Sequence, residues 1–311
     1  TGAMGDTGSS GAGVHVGPKR ALSRGASFGV VAVAYVLALV AGVVSGAVDD
    51  GSPYLAVAAG MFAGTVVIFV FSRAVNNTSM FDAYWSLAPP VVAIYLVVVA
   101  EPDVPVGRQV LVLLVVFAWA VRLTSNWARG WPGLDHEDWR YTAMRTNGHP
   151  YWLQSFFGLH LVPTIEVYVG CLPLIPALAV GTDPLGVFDG LGLLVGVAAV
   201  VLELVADEQL RRFNRTKASG DICDVGLWSW SRHPNYFGEL CFWWSLFLFG
   251  LAAAPGYWWT VVGAVSITVM FAAASIPMIE KRSAERRPAW DVYRRRTSVL
   301  IPRPPRSSSP S

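Results

Sequence analysis

The chain has 311 residues, 54% of them hydrophobic and 14% charged, with 13 Trp and a mean hydropathy of +0.48, whereas a soluble domain carries about 25% charged residues. That composition excludes a soluble globular enzyme and predicts an all-α, polytopic transmembrane helical bundle. The net charge of +2 gives no reason to invoke nucleic acid. Cys171, Cys223 and Cys241 fall in different segments, form no disulfide-like or ligand-spaced pair, and predict no metal site.

In chain order, residues 1–27 are rich in Gly and Ser and lack the apolar core of a cleavable signal, which predicts a disordered N-terminal segment. Apolar stretches near the length of about 20 residues that crosses a bilayer follow. They run from Phe28 to Val48, Tyr54 to Ala74, Phe81 to Ala100, Val106 to Trp127, Tyr151 to Leu178, Leu185 to Asp207, Pro234 to Ala253 and Tyr257 to Ile279. This predicts about eight spans, or seven if a pair joined by a tight turn is one element. They form one membrane domain over residues 28–301, with a disordered tail at 302–311. With eight spans, every Lys and Arg falls on one side except Arg108, at the other face, and Arg122, inside a span; Asp49, Asp50, Glu101, Asp103 and Asp183 fall opposite. By the positive-inside rule the basic side and both termini are cytoplasmic.

Ionisable groups inside a membrane are costly and mark functional sites, and here they gather in the second half. In the third span, Asp82 and Tyr84 precede Pro89-Pro90; a Tyr with a nearby carboxylate can protonate a developing enolate, while Tyr84 and Trp85 are equally at home in an aromatic belt. His160 and Glu166, in the fifth span, require a cavity or interhelical partners. Glu203, Asp207, Leu210, Arg211 and Asn214 follow helical spacing and share one face; that face lines a polar cavity or pairs its carboxylates with an arginine.

The segment Ser231-Arg232-His233-Pro234-Asn235-Tyr236-Phe237-Gly238-Glu239 concentrates five polar functions at the mouth of a membrane helix. Pro234 suits the first helical turn, which leaves Arg232 and His233 at an amino terminus able to hold an anion. Asn235 and Glu239, four apart, share a face. Downstream, Arg282 and Tyr293 belong to a basic segment from Glu280 to Arg296 that suits anionic lipid or a nucleotide phosphate.

These segments, together with the loop Glu137-Asp138-Trp139-Arg140-Tyr141 and the ending Leu300-Ile301-Pro302, give the chain a resemblance to the steroid 5-alpha-reductase superfamily, especially its bacterial membrane branch, over roughly residues 76–302. The resemblance implies a membrane oxidoreductase that reduces an activated carbon-carbon double bond with NADPH bound from the cytoplasmic side of a bacterial cytoplasmic membrane. It implies a hydrophobic lipid or steroid-like substrate. It assigns Asp207 and Asn235 to the cofactor, with Glu203, Arg211 and Asn214 in neighbouring positions. Arg232, His233, Tyr236 and Glu239 complete the nucleotide wall, and Arg282 and Tyr293 join from the tail. The steroid enzymes place a Glu on an early helix and a Tyr on the next near the substrate carbonyl. This chain has no acidic residue within the second span, and Tyr84, beside Asp82, is the stand-in for the Tyr.

Two other readings start from the same residues. Isoprenylcysteine and phospholipid methyltransferases also carry an Arg-His-Pro helix entrance, a following Glu and a basic tail, but use S-adenosylmethionine; they leave the Glu203 to Asn214 face and the Glu137 to Tyr141 loop without a role. A nonenzymatic lipid-binding or transport protein would have a cavity without nucleotide affinity. No inverted repeat supports that last reading.

Overall fold

Backbone amides in hydrocarbon have no water to bond, so each apolar stretch closes its hydrogen bonds within itself as a helix. The computed structural model describes residues 22–47 and 51–306, and these contain helices and an isolated bridge between Ser231 and Ser298 but no strand. The expectations for residues 1–21, for Asp49 and Asp50 and for 307–311 lie outside the described residues.

Eight helical segments are long and apolar enough to cross a membrane. The first four are α1 (Arg24–Gly46), α2 (Pro53–Ala74), a 3-10 turn at Thr78–Phe81 running into α3 (Tyr84–Val98), and α4 (Val106–Gly130). After a short helix α5 (Trp139–Arg145), the fifth span passes through α6 (Tyr151–Gln154), a π-helical segment Ser155–Leu161, α7 (Val162–Cys171) and a second π segment, Pro176–Val180. The sixth is α8 (Val187–Thr216); one turn, α9 (Leu227–Trp230), leads to the seventh, α10 (Pro234–Ala253). The eighth runs from a 3-10 turn, Pro255–Thr260, through α11 (Val261–Met270) and a π segment, Phe271–Ser275, into α12 (Ile276–Arg286), followed by α13 (Trp290–Arg296). The protein is thus an integral membrane helical bundle, with eight spans among the described residues.

The ends differ from expectation where local bonds extend the order. α1 starts at Arg24, inside the segment expected to be disordered, because the Ser23 hydroxyl accepts the Ala26 amide at 3.1 Å. The start of the tail is also ordered: the amides of Arg303 and Arg306 donate to the Trp230 and Arg296 carbonyls, both at 3.0 Å. The π segments Ser155–Leu161 and Phe271–Ser275 lie just before Pro163 and Pro277, whose missing N–H breaks the α-helical ladder.

Without a hydrophobic drive between helices in lipid, close packing holds the bundle together. α1 and α2 meet along Ala38, Gly42 and Gly46 against Ala56, Gly60 and Gly64, and a Cβ built on Gly42 or Gly60 would stand 3.0 or 2.9 Å from the other's carbonyl oxygen. Their outer faces, with Val33, Val36, Val40 and Leu55, are exposed and apolar as lipid contact requires. The centre is built from α4, α8 and α10, where Trp119, Phe242, Trp243, Leu246 and Phe249 are buried. Two arginines cross from α4 to α8. Arg108, in the first turn of α4 at the end away from the basic loops as expected, is fully buried and grips Asp189; Arg122 lies fourteen residues further on, at the end nearer the basic loops.

Candidate functional site

At that end, Arg122 meets three carboxylates. Its Nη1 lies 2.9 Å from Asp207 Oδ2, and its Nη2 lies 2.8 Å from Glu203 Oε2 and 3.4 Å from Glu239 Oε2. Glu203 and Asp207 are one helical turn apart on α8, and Glu239 comes from the first turns of α10. The Glu239 carboxylate also accepts three indole N–H groups: Trp243 at 3.0 Å and Trp85 at 3.3 Å on Oε1, and Trp119 at 3.0 Å on Oε2. α10 approaches α8 closely here, and Gly238 permits it: a Cβ at that position would stand 2.4 Å from Glu203 Cγ.

These groups form the floor of a cavity of about 560 Å³ that Asp82, Trp85, Asn126, Trp127, Trp131, Arg140, Asn235, Tyr236 and Phe271 also line. That is within the range of ligand sites, about 300–1,000 Å³. Exposure grades from floor to mouth. Glu203 and Arg122 side chains are 0% and 5% accessible, whereas Asp138 and Arg140 reach 27% and 43%.

The mouth is covered by the segment from Trp131 to Arg145, which the tight turn between α2 and α3 holds down. Asn77 Nδ2 donates to the Leu134 and His136 carbonyls at 2.7 and 2.9 Å, and Ser79 Oγ accepts the Asp138 amide at 2.9 Å. Glu137 accepts the Thr78 amide at 2.8 Å, the Tyr151 hydroxyl at 3.0 Å and the Arg145 guanidinium at 2.6 and 2.9 Å. Burial raises the Glu137 pKa, but Arg145, Thr78 and Tyr151 together outweigh it and hold the carboxyl below its usual range. Tyr141 donates to Asp82 at 2.6 Å, and burial followed by the Asp82 charge pushes its phenol well above its ordinary value, so it stays a proton donor in that bond.

The structure brings Asp82, Glu203, Asp207, Asn235, Tyr236 and Glu239 to one cavity. Arg211 reaches its rim, with Nη2 2.9 Å from the lining residue Asn126 and Nη1 2.6 Å from Glu208. Other expected residues lie elsewhere. Tyr84, the first residue of α3 and two beyond Asp82 in the preceding turn, points to the opposite side, where its hydroxyl donates to the Met61 carbonyl at 2.9 Å; Tyr141 is the tyrosine that pairs with Asp82. Arg232 and His233 turn towards Glu280, at 2.7 and 3.2 Å from its Oε1, and Arg232 Nη1 donates to the Arg294 carbonyl at 2.9 Å. Tyr293 donates to the Trp228 carbonyl at 2.6 Å, and Asn214 is exposed. Arg282 lies beside the mouth with its guanidinium 3.6 Å from the Trp139 ring centre. His160 is buried outside the cavity, its Nδ1 donating to the Ser155 carbonyl at 2.8 Å, with Ser72 Oγ 3.2 Å from Nε2.

α3 separates the polar cavity from an apolar one. Its other side, with Tyr84, Leu87, Ala88 and Val91, faces a groove of about 120 Å³ between α1, α2 and α3 whose remaining walls are mostly Ala, Gly, Val and Leu.

Comparison with known proteins places the chain without naming an activity. Residues 68–297 match the family described as a protein of unknown function, DUF1295. The chain belongs to the DUF1295 family. An uncharacterized protein of Schizosaccharomyces pombe is 26% identical over 254 residues, which cover 73% of each chain. No solved structure matches. The DUF1295 segment begins inside α2 and contains every residue that lines the polar cavity, but it leaves out α1 and both sides of the Gly42–Gly60 contact. Within it, sequence reasoning passed over Arg122, Trp119, Trp243 and Glu280. An arginine in the middle of a span was the available signal for Arg122; the indoles are indistinguishable from packing aromatics until Glu239 is placed among them.

Proposed function

We propose that the cavity is the active site of an NADPH-dependent reductase acting on an activated carbon-carbon double bond in a hydrophobic, lipid-like substrate. The observation that carries this reading is the gradation of one cavity from carboxylates at its floor to guanidinium and N–H donors at its mouth, with an apolar groove just across α3. The donor set fits the cofactor. Asp207 at the floor, with Oδ1 free, can accept a carboxamide N–H, while Arg140, Arg211 and the Trp127 and Trp131 indole N–H groups, which have no acceptor among the described residues, suit phosphate oxygens. Bound there, NADPH would supply a hydride.

The chain's own residues have distinct parts. Asn235 faces the cavity without a side-chain partner among the described residues and is the residue most available to a ligand. The Asp82–Tyr141 bond ties the cover to α3 and positions it to exclude water. Arg232, His233 and Glu280 fix α12 and α13 against the entrance of α10 rather than touching the ligand. The resemblance of the Arg232–Glu239, Glu203–Asn214 and Glu137–Tyr141 segments to the steroid 5-alpha-reductase superfamily supports the same reading, and the basic face is assigned to the cytoplasm by the positive-inside rule.

A ligand that binds only the folded state raises its stability, by about 2.7 kcal/mol at one hundred times its Kd. Purified protein in detergent should therefore melt higher with NADPH than with NADH or S-adenosylmethionine. Asn235→Ala should leave the ligand-free melting temperature unchanged and abolish the NADPH shift. Stabilisation by S-adenosylmethionine instead, or a full NADPH shift in Asn235→Ala, would overturn the proposal.

A further inference from the structure

The floor of the cavity holds more negative charge than its donors can match. Glu239 has two donors on each oxygen: Trp243 and Trp85 on Oε1, Trp119 and Arg122 on Oε2. Those four donors occupy the acceptor sites of both its oxygens. Asp207 has Arg122 Nη1 at 2.9 Å. Glu203 is the odd one. It is fully buried, its Oε1 has no partner, and its Oε2 lies 2.8 Å from Arg122 Nη2 without the geometry of a hydrogen bond. The groups that face it are Asp207 on its own helix, Glu239 and Cys241 from α10, and Arg122 from α4. One guanidinium therefore touches three carboxylates, with Arg211 acting on Asp207 without contacting it, beside the stacked rings of Trp119 and Phe242. An uncompensated buried charge is far more costly than taking up a proton.

We infer that Glu203 carries a proton in the resting protein and is the acid that delivers it to the substrate. This rests on the reductase reading. In that reduction a hydride brings two electrons to the β carbon and forms its new C–H bond, the dihydronicotinamide donor being oxidised. The π pair of the double bond shifts to the α carbon and its conjugated carbonyl. The Glu203 O–H bond breaks, its proton forms the second C–H bond at the α carbon, and its electron pair stays on the carboxylate, beside Arg122. Water entering past Asp207 at the cavity side restores the proton. The seat at Gly238 serves this arrangement, because any side chain there would push Glu203 off Arg122 and Glu239.

The first test needs no cofactor. Infrared spectra of the purified protein should contain a protonated-carboxyl band that moves in D2O and is missing in Glu203→Gln, a variant that matches the protonated side chain in shape and should melt with the parent. A band that persists in Glu203→Gln, or a marked drop in its melting temperature from loss of an ion pair, overturns the assignment. The second test uses a long-chain α,β-unsaturated ketone as probe. Glu203→Gln should keep the NADPH melting shift and lose at least about 100-fold in NADPH oxidation, the scale of a general acid. Parental turnover by Glu203→Gln sinks the acid role and leaves the reductase reading standing. A parent with no NADPH shift sinks the reductase reading and the acid role with it, whatever the infrared band shows.

Discussion

Two arginines link α4 to α8 at matched positions. Arg108 meets Asp189 and Arg122 meets Glu203, fourteen residues further along both helices, or about 21 Å at the rise of an α-helix. The first pair is saturated. Arg108 Nε and Nη2 bond the two Asp189 oxygens at 2.7 and 3.1 Å, and its remaining N–H groups donate to the carbonyls of Asp183, Pro184 and Ala252 at 2.9, 3.2 and 3.2 Å. Asp189 also accepts the Gly186 amide at 2.8 Å. Charge and hydrogen bonds both close around the pair. Around Arg122 neither closes: three carboxylates share one cation, Arg122 Nε and both Glu203 oxygens lack hydrogen-bond partners, and a cavity opens beside them. The same residue types between the same two helices thus make a brace at one end and a site at the other. What separates them is whether the surroundings complete the charges.

The largest effect that would break this contrast is expected at Arg122. Arg122→Met removes the cation from the carboxylate cluster and should cost about 3–5 kcal/mol, as loss of one buried partner does, together with the NADPH melting shift. A variant as stable as the parent would show that the cluster does not depend on its cation. The double change Arg108→Met with Asp189→Leu removes both charges together and leaves three part-buried carbonyls and the Gly186 amide without partners, at about 1–3 kcal/mol for each that water does not reach. It should keep the NADPH shift; loss of ligand binding there would mean that both pairs serve the site.

The smallest effect sharpens the picture at the cover. The Glu137 pKa is lowered in the folded protein, so its contribution is fully present above the ordinary carboxylate range and is lost as pH falls through its depressed folded value. Hydrogen exchange across residues 131–146, corrected for its intrinsic pH dependence, should show the cover loosening in that acidic window. Glu137→Gln should already be loosened at neutral pH and show little further change; a parental pH profile would assign the loosening to another group.

Much of this was legible in the chain. The eight spans followed from stretches of apolar residues, and the shared face of Glu203 and Asp207 followed from helical spacing. Asn235 and Glu239 were recognisable as one face of α10, and both reach the cavity. The roles of Arg232 and His233 were not legible, because their partner Glu280 lies 47 residues beyond His233. Tyr84 failed to join Asp82 because Asp82 sits in the turn ahead of α3 while Tyr84, the first residue of α3, points to the Met61 carbonyl, and Tyr141, 59 residues away from Asp82, took that place.

Sequence by itself determined that this protein spans a membrane as helices, because hydrocarbon permits no other way for so apolar a chain to satisfy its backbone. It also determined which side carries the basic residues, and which helix faces are polar. Tertiary structure alone decided which of those polar groups meet. Counting charges along a chain cannot tell a matched pair from an unmatched cluster, since balance depends on every donor that other helices bring within about 3 Å. Arg108 and Arg122 look alike in the sequence, and only their neighbours make one a brace and the other the floor of a site.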